Sequence, residues 1–168
     1  MNPSQMYEYL AKARGRVFEK VRTLTPEQYT QKFPFGMGSV RATLAHTASA
    51  EWTYSHRVTG EMVNSADSPF VEDKVPDFAT LEARWTEQAD RTRRVLSGIS
   101  DWNRPLEYRM KLRDKAYRIK ATTGGVLSQL LFHEVHHRAQ VMAMLRHLGT
   151  PLENLDYSGL MFDRTEET

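Results

Sequence analysis

Apolar residues recur along most of this chain at intervals of three and four, the period of an amphipathic helix. Tyr7, Leu10, Val17, Val21 and Leu24 predict a first helix over residues 3–24. Asn2-Pro3 opens it, a capping residue followed by proline at the first helical position. Thr25-Pro26-Glu27 reads as the cap of a short helical turn, and Phe33-Pro34-Phe35-Gly36 as the loop that ends it. Ser39 caps a second helix that runs to about Thr59 and is stopped by Gly60. Projected at 100° per residue, its Val40, Leu44, Thr47 and Val58 form one stripe, and Glu51 falls inside that stripe. A lone carboxylate there must find a partner or take up a proton, because burying an unpaired charge is costly.

Residues 61–77 carry Pro69, Pro76 and scattered acids, and read as a surface loop. A third helix follows with Leu81, Trp85, Ala89, Thr92, Leu96 and Ile99 at helical intervals, ended by Gly98 and Ser100. The stretch from Leu106 to Lys120 alternates irregularly around Arg113-Asp114-Lys115, which predicts a short extended excursion or a small hairpin. Thr122-Thr123 then opens the last helix, Gly124 to Leu148, closed by Gly149 with Pro151 beyond. It is apolar on most sides, through Val126, Leu127, Leu130, Leu131, Val135, Val141, Met142, Met144, Leu145 and Leu148. A helix without a broad polar face belongs in the middle of a structure or in a subunit interface. Four long helices, no internal repeat and little strand content predict an all-α fold, a four-helix bundle forming a single domain over residues 1–168.

Composition narrows the chemistry. The 40% apolar and 26% charged fractions over 168 residues are those of an ordinary soluble chain able to bury a real core. No run approaches the roughly 18 consecutive apolar residues a membrane span requires. Met1 to Leu10 is polar and leads straight into a helical pattern, unlike a secretory signal. A cytoplasmic protein without membrane contact is therefore expected. With no cysteine, any metal must be held by histidine, carboxylate or carbonyl groups. A net charge of +2 without a lysine/arginine block argues against nucleic-acid binding.

The informative residues are six histidines, His46, His56, His133, His136, His137 and His147. His133 and His137 stand four apart in the last helix, so they stack on one face, at the centre of the apolar stripe between Leu130 and Met144. Two imidazoles so spaced can both reach one ion at about 2.0–2.1 Å. In a chain with this many histidines the spacing alone is a weak motif, and the apolar position is what gives it weight. His133-Glu134-Val135-His136-His137 also reads as H-E-x-x-H, the zinc-protease signature with Glu134 as general base. The extended form of that motif needs glycine and histidine where this chain has Gln140 and Ala143. Glu134 projects roughly 60–100° away from the paired histidines, toward the flank or solvent. His136 lies as far off on the other side. His147 suits the negative end of the helix dipole, and His56 falls on the polar side of helix two.

The run HEVHHRAQVMAMLRHLG from His133 to Gly149 resembles the last-helix signature of the DinB (DNA-damage-inducible)/YfiT-like superfamily, H-x-x-x-H-R-G-Q followed by L-R-x-L-G. Ser39 to His46 with Glu51-Trp52 resembles the family's helix-two pattern, and Leu155-Asp156-Tyr157 with Met161-Phe162 its C-terminal segment, so the likeness extends from about residue 3 to 162. Ala139 stands where the family usually has glycine. The resemblance implies a four-helix bundle whose metal, zinc or nickel, is held by His46, His133 and His137. Three neutral imidazoles leave an open position for water or substrate. Some relatives place there the thiol of a low-molecular-weight cofactor such as bacillithiol or mycothiol. Members are often homodimers. Periodicity alone would not nominate His46, which faces Thr43, Ala50 and Thr53 rather than the main stripe. Metal-bound histidines donate their second N–H to an acceptor, and the candidates around the site are Gln140, Glu51 and His136. Arg138 points away and is expected to pair with an acid elsewhere in the bundle. The expected function is that of a metal-dependent thiol S-transferase or hydrolase acting on a small molecule. The alternatives are a non-catalytic metal-binding stress-response protein and an HExxH zinc metalloprotease.

Overall fold

A computed structural model describes residues 3–112 and 114–165. Its elements are α1 (Pro3–Val21), α2 (Pro26–Thr30), α3 (Val40–Thr59), α4 (Phe78–Ser97), β1 (Pro105–Leu112), β2 (Lys115–Thr122), α5 (Thr123–His147) and α6 (Tyr157–Met161). The cap expected at Asn2 and the Arg113 of the irregular stretch lie outside the described residues. Among those described, no helix is long and apolar enough to cross a membrane.

The helix boundaries follow local chemistry. Thr25 accepts from the backbone of Gln28 while the Gln28 side chain returns to the Thr25 N–H, a closed capping box. This holds Thr25 extended ahead of Pro26, so α1 stops at Val21 rather than reaching Leu24. Ser39 caps α3 through Ala42 N–H at 3.0 Å, and Gly60 closes it at φ 89°, a conformation glycine adopts without strain. Asp77 and Thr122 cap α4 and α5 in the same way.

The four long helices form a square bundle in which α1 touches α4 and α5, and α3 touches the same two. The buried positions of α3 include Val40, Leu44, Thr47, Glu51 and Val58, the stripe expected from periodicity with its acid included. The all-α expectation needs correction, because β1 and β2 pair as an antiparallel hairpin with Tyr108 opposite Ile119. Leu106, Tyr108 and Ala121 of this hairpin pack against the helical core, so one face of the ribbon is covered. Thr122 ends β2 and caps α5, which ties the hairpin directly to the last helix.

Residues 61–77 also depart from a plain surface loop. Phe70 and Val75 are buried, and Arg84 of α4 donates to the carbonyls of Pro69 and Lys74 at 2.8 and 2.9 Å. Helical periodicity overlooks a segment whose inward residues follow two short 3₁₀ turns instead of a stripe. At the other end, Leu155 is buried and its carbonyl accepts from the Tyr9 hydroxyl at 2.9 Å, docking the C-terminal segment on α1.

Candidate metal centre

α3 and α5 lie side by side, and their facing surfaces bring His46 to His133 and His137. The ring centroids are 4.9 Å apart for His46–His133, 4.6 Å for His46–His137 and 4.4 Å for His133–His137. Nε2 of His46 stands 3.1 Å from Nε2 of His133. One ring nitrogen from each residue lies within 4.8 Å of the others. His46 was found through the resemblance rather than through periodicity because its face meets α5 instead of the bundle centre.

Around this triad, Nδ1–H of His137 donates to Oε1 of Gln140 at 2.8 Å, which leaves Nε2 as the ring's free lone pair. Gln140 in turn donates to Nε2 of the exposed His136 at 2.9 Å. Gln140 and His136 thus form a relay behind His137. Gly36 backs Gln140 from the α2–α3 loop. Its φ of 62° is a left-handed conformation that favours glycine, and a Cβ there would crowd Cε of Met144 at 2.8 Å and Oε1 of Gln140 at 3.2 Å. Nδ1 of His133 is buried with no hydrogen-bond partner among the described residues.

Electrostatics hold the three rings neutral. Burial pushes the His133 pKa down to about 3, with the neighbouring His137, His46 and His136 adding to the effect. His46 is lowered by burial and then by His137. His137 is also lowered by burial, against the opposing bond to Gln140. An uncharged imidazole is the form that can offer a lone pair to a cation.

Glu51 is not part of this group. Its carboxylate is fully buried and accepts from Tyr7 Oη at 2.5 Å and from Arg14 Nη2, Trp85 Nε1 and Thr92 Oγ1, each at 2.7 Å. Arg14 also makes a two-pronged bond to Glu134, from Nε at 3.0 Å and Nη2 at 2.7 Å, and its guanidinium lies 4.3 Å from the Trp85 ring centroid. Burial works against the Arg14 charge, but Glu134 and Glu51 more than offset it and raise its pKa. Glu134 is therefore neither at the flank nor in solvent, as its helical angle suggested. It is 3% exposed and points into the core, with both oxygens taken.

Sequence reasoning missed Arg14, although a signal was present. It interrupts an otherwise apolar 3-4-3-4 series, Tyr7, Leu10, Arg14, Val17 and Val21. Arg138 differs from expectation too. It donates to the Tyr9 hydroxyl at 2.6 Å and stacks over that ring, with no acid within ion-pair distance among the described residues. His56 is buried rather than on the surface, donating Nδ1–H to the Trp52 carbonyl at 2.7 Å. His147 is exposed beside Phe33 and Phe35 in the last turn of α5.

Comparison with known proteins fits this arrangement. The family model described as the DinB family matches residues 1–168. A relative named Protein DinB, from Bacillus subtilis (strain 168), is 22% identical over 162 residues, covering 94% of this chain and 92% of its own length. Both findings, together with the three-histidine cluster, are compatible with metal binding.

Two predictions follow from the charges. A histidine with a lowered native pKa binds fewer protons than its unfolded counterpart between the two values, so stability rises with pH in that window. The metal-free protein should lose urea resistance as pH falls from about 6.5 toward 3, and His133→Phe should flatten that loss. A midpoint unchanged between pH 7.5 and 4.5 would contradict the neutral, buried triad. Arg14→Met leaves two buried carboxylates without their cation, and denaturant titration should show a loss of about 3–5 kcal/mol. A loss under about 1 kcal/mol would mean that solvent or protonation relieves the pair.

Proposed function

This chain belongs to the DinB family, and we propose that it binds one divalent ion through His46, His133 and His137 and works as a metal-dependent enzyme. The observation that carries the reading is the 3.1 Å approach of two Nε2 atoms from different helices, beside a third imidazole in the same cluster. Two nitrogens on one tetrahedral ion at 2.0–2.1 Å stand roughly 3.3 Å apart. An all-imidazole donor set favours zinc or nickel over magnesium or calcium. When bound, such an ion would lower the pKa of a thiol or water at its remaining position and make a nucleophile available at neutral pH.

The chain's own groups prepare that site. Gln140 fixes the tautomer of His137, and burial keeps His46 and His133 uncharged. Tyr54 sets its ring edge-on to His133 at 6.0 Å, which restrains that imidazole from the α3 side. On this reading the substrates are small molecules, in transfer of a low-molecular-weight thiol to an electrophile or in a related hydrolysis. The zinc-protease alternative lacks its base, since Glu134 spends both oxygens on Arg14.

Elemental analysis of protein purified without a metal-affinity column should find about one zinc or nickel per chain, and His46→Ala and His137→Ala should each abolish it. Metal retained in His46→Ala would sink the triad. A panel of thiol cofactors and electrophiles then tests turnover, and failure of the loaded protein throughout would favour the non-catalytic binding protein. We also propose a homodimer through α5, supported by Phe132 and Val135, which are 72% and 39% exposed on that helix. Sedimentation equilibrium should give twice the chain mass, and Phe132→Glu the mass of one chain.

A further inference from the structure

Arg57 occupies the last turn of α3, three turns beyond His46 and on nearly the same helical face, since eleven residues at 100° return to within roughly 20°. Its guanidinium carbon lies 5.5 Å from the Tyr54 ring centroid and 4.4 Å from that of Tyr108 on β1. Tyr54 is the residue that meets His133. A continuous path of three side chains therefore runs from the candidate metal centre to the hairpin, ending on a cation clasped by two aromatic rings.

The unusual feature is what Arg57 does not do. Among the described residues, every other buried or half-buried arginine donates at least one hydrogen bond. Arg14, Arg91 and Arg93 donate to carboxylates, Arg41 and Arg84 to carbonyls, and Arg138 to a phenol. Arg57 is half-buried and stacked, and its guanidinium makes no hydrogen bond or ion pair to a described residue. A cation in the last turn of a helix is favoured by the dipole, but that interaction leaves all five N–H donors unused. Stacking restricts the guanidinium without consuming those donors, and so lowers the entropy cost of using them on a ligand. The planar fork of an arginine matches a carboxylate or phosphate oxygen pair.

We propose that Arg57 is the anion-recognising residue of this site, selecting thiol ligands that carry a carboxylate or phosphate several bonds from the sulfur. This rests on the metal reading above. The sulfur end would lie at the histidine triad and the anionic end on Arg57. Tyr54 forms the wall between them, and Tyr108 on the hairpin holds the guanidinium in place. The ring-to-ring step of 6.0 Å and the ring-to-cation step of 5.5 Å limit how far the guanidinium stands from the His133 ring, a span that roughly three to four extended residues cover.

The test uses the cobalt-loaded full chain and pairs of ω-mercaptoalkanoates and ω-mercaptoalkanols of equal length, from two to eight carbons. Cobalt absorption reports sulfur binding, and calorimetry reports affinity. The carboxylate member of the longer pairs should bind about 10-fold or more tightly than its alcohol, with little difference for the two-carbon pair. Arg57→Met should erase that preference while leaving the affinities of the alcohols within about twofold, and Arg57→Lys should recover part of it. A purely structural role for Arg57, pinning the hairpin to α3, would weaken both members alike and would overturn the inference. So would cobalt bands that shift with every thiol without any carboxylate preference, an outcome that leaves the metal reading standing. Failure of the chain to bind cobalt would overturn the metal reading and this inference together.

Discussion

The bundle is organised around one buried guanidinium. Arg14 of α1 bonds Glu51 of α3 and Glu134 of α5 and lies over Trp85 of α4, while Tyr7, Trp85 and Thr92 complete the coordination of Glu51. All four long helices contribute to this single hydrogen-bonded cluster at the centre of the square. Buried ion clusters add little net stability over apolar packing of the same volume. What they add is direction. Apolar contacts tolerate a helix sliding or turning by a fraction of a residue, whereas several bonds of 2.5–3.0 Å to two carboxylates are satisfied together in one register.

That register is also what the histidines need. Glu51 follows His46 by five residues on α3, and Glu134 is the immediate neighbour of His133 on α5. The cluster fixes α3 and α5 through Arg14 from within the core, and the triad forms on the other side of the same helix pair. The two carboxylates that looked like candidates for metal chemistry, one as an outer partner and one as a protease base, are both engaged in holding the scaffold. The outer partner of the triad comes instead from Gln140, backed by the glycine turn at Gly36. The hairpin approaches from the opposite end, where Tyr108 lies against Arg57 of α3.

The amphipathic period and the capping residues made most of the fold legible in one dimension. Ser39, Gly60 and Thr122 act on backbone groups only a few residues away, so their effect needs no knowledge of the rest of the chain. The spacing of His133 and His137 belongs to the same class, because a helix by itself stacks residues four apart. Family resemblance extended this to His46. Periodicity misjudged Glu134, Arg138 and His56, since a helical angle says which way a residue points but not which partner waits there. The same holds for Phe70 and Val75, whose burial depends on how an irregular segment folds across α3 and α4.

The sequence by itself determined the long helices and most of their caps, the absence of any cysteine ligand or nucleophile, and one pair of aligned imidazoles, all consequences of local backbone geometry and side-chain type. Only the tertiary structure decided that Arg14 draws Glu51 and Glu134 together, that Gln140 rather than an acid supports His137, and that Arg57 keeps its donors unspent beside Tyr54 and Tyr108. The reason is that these contacts join residues between 3 and 120 positions apart, mostly on different elements. Their energies depend on burial and on distances of a few ångströms, which exist only once the helices have packed.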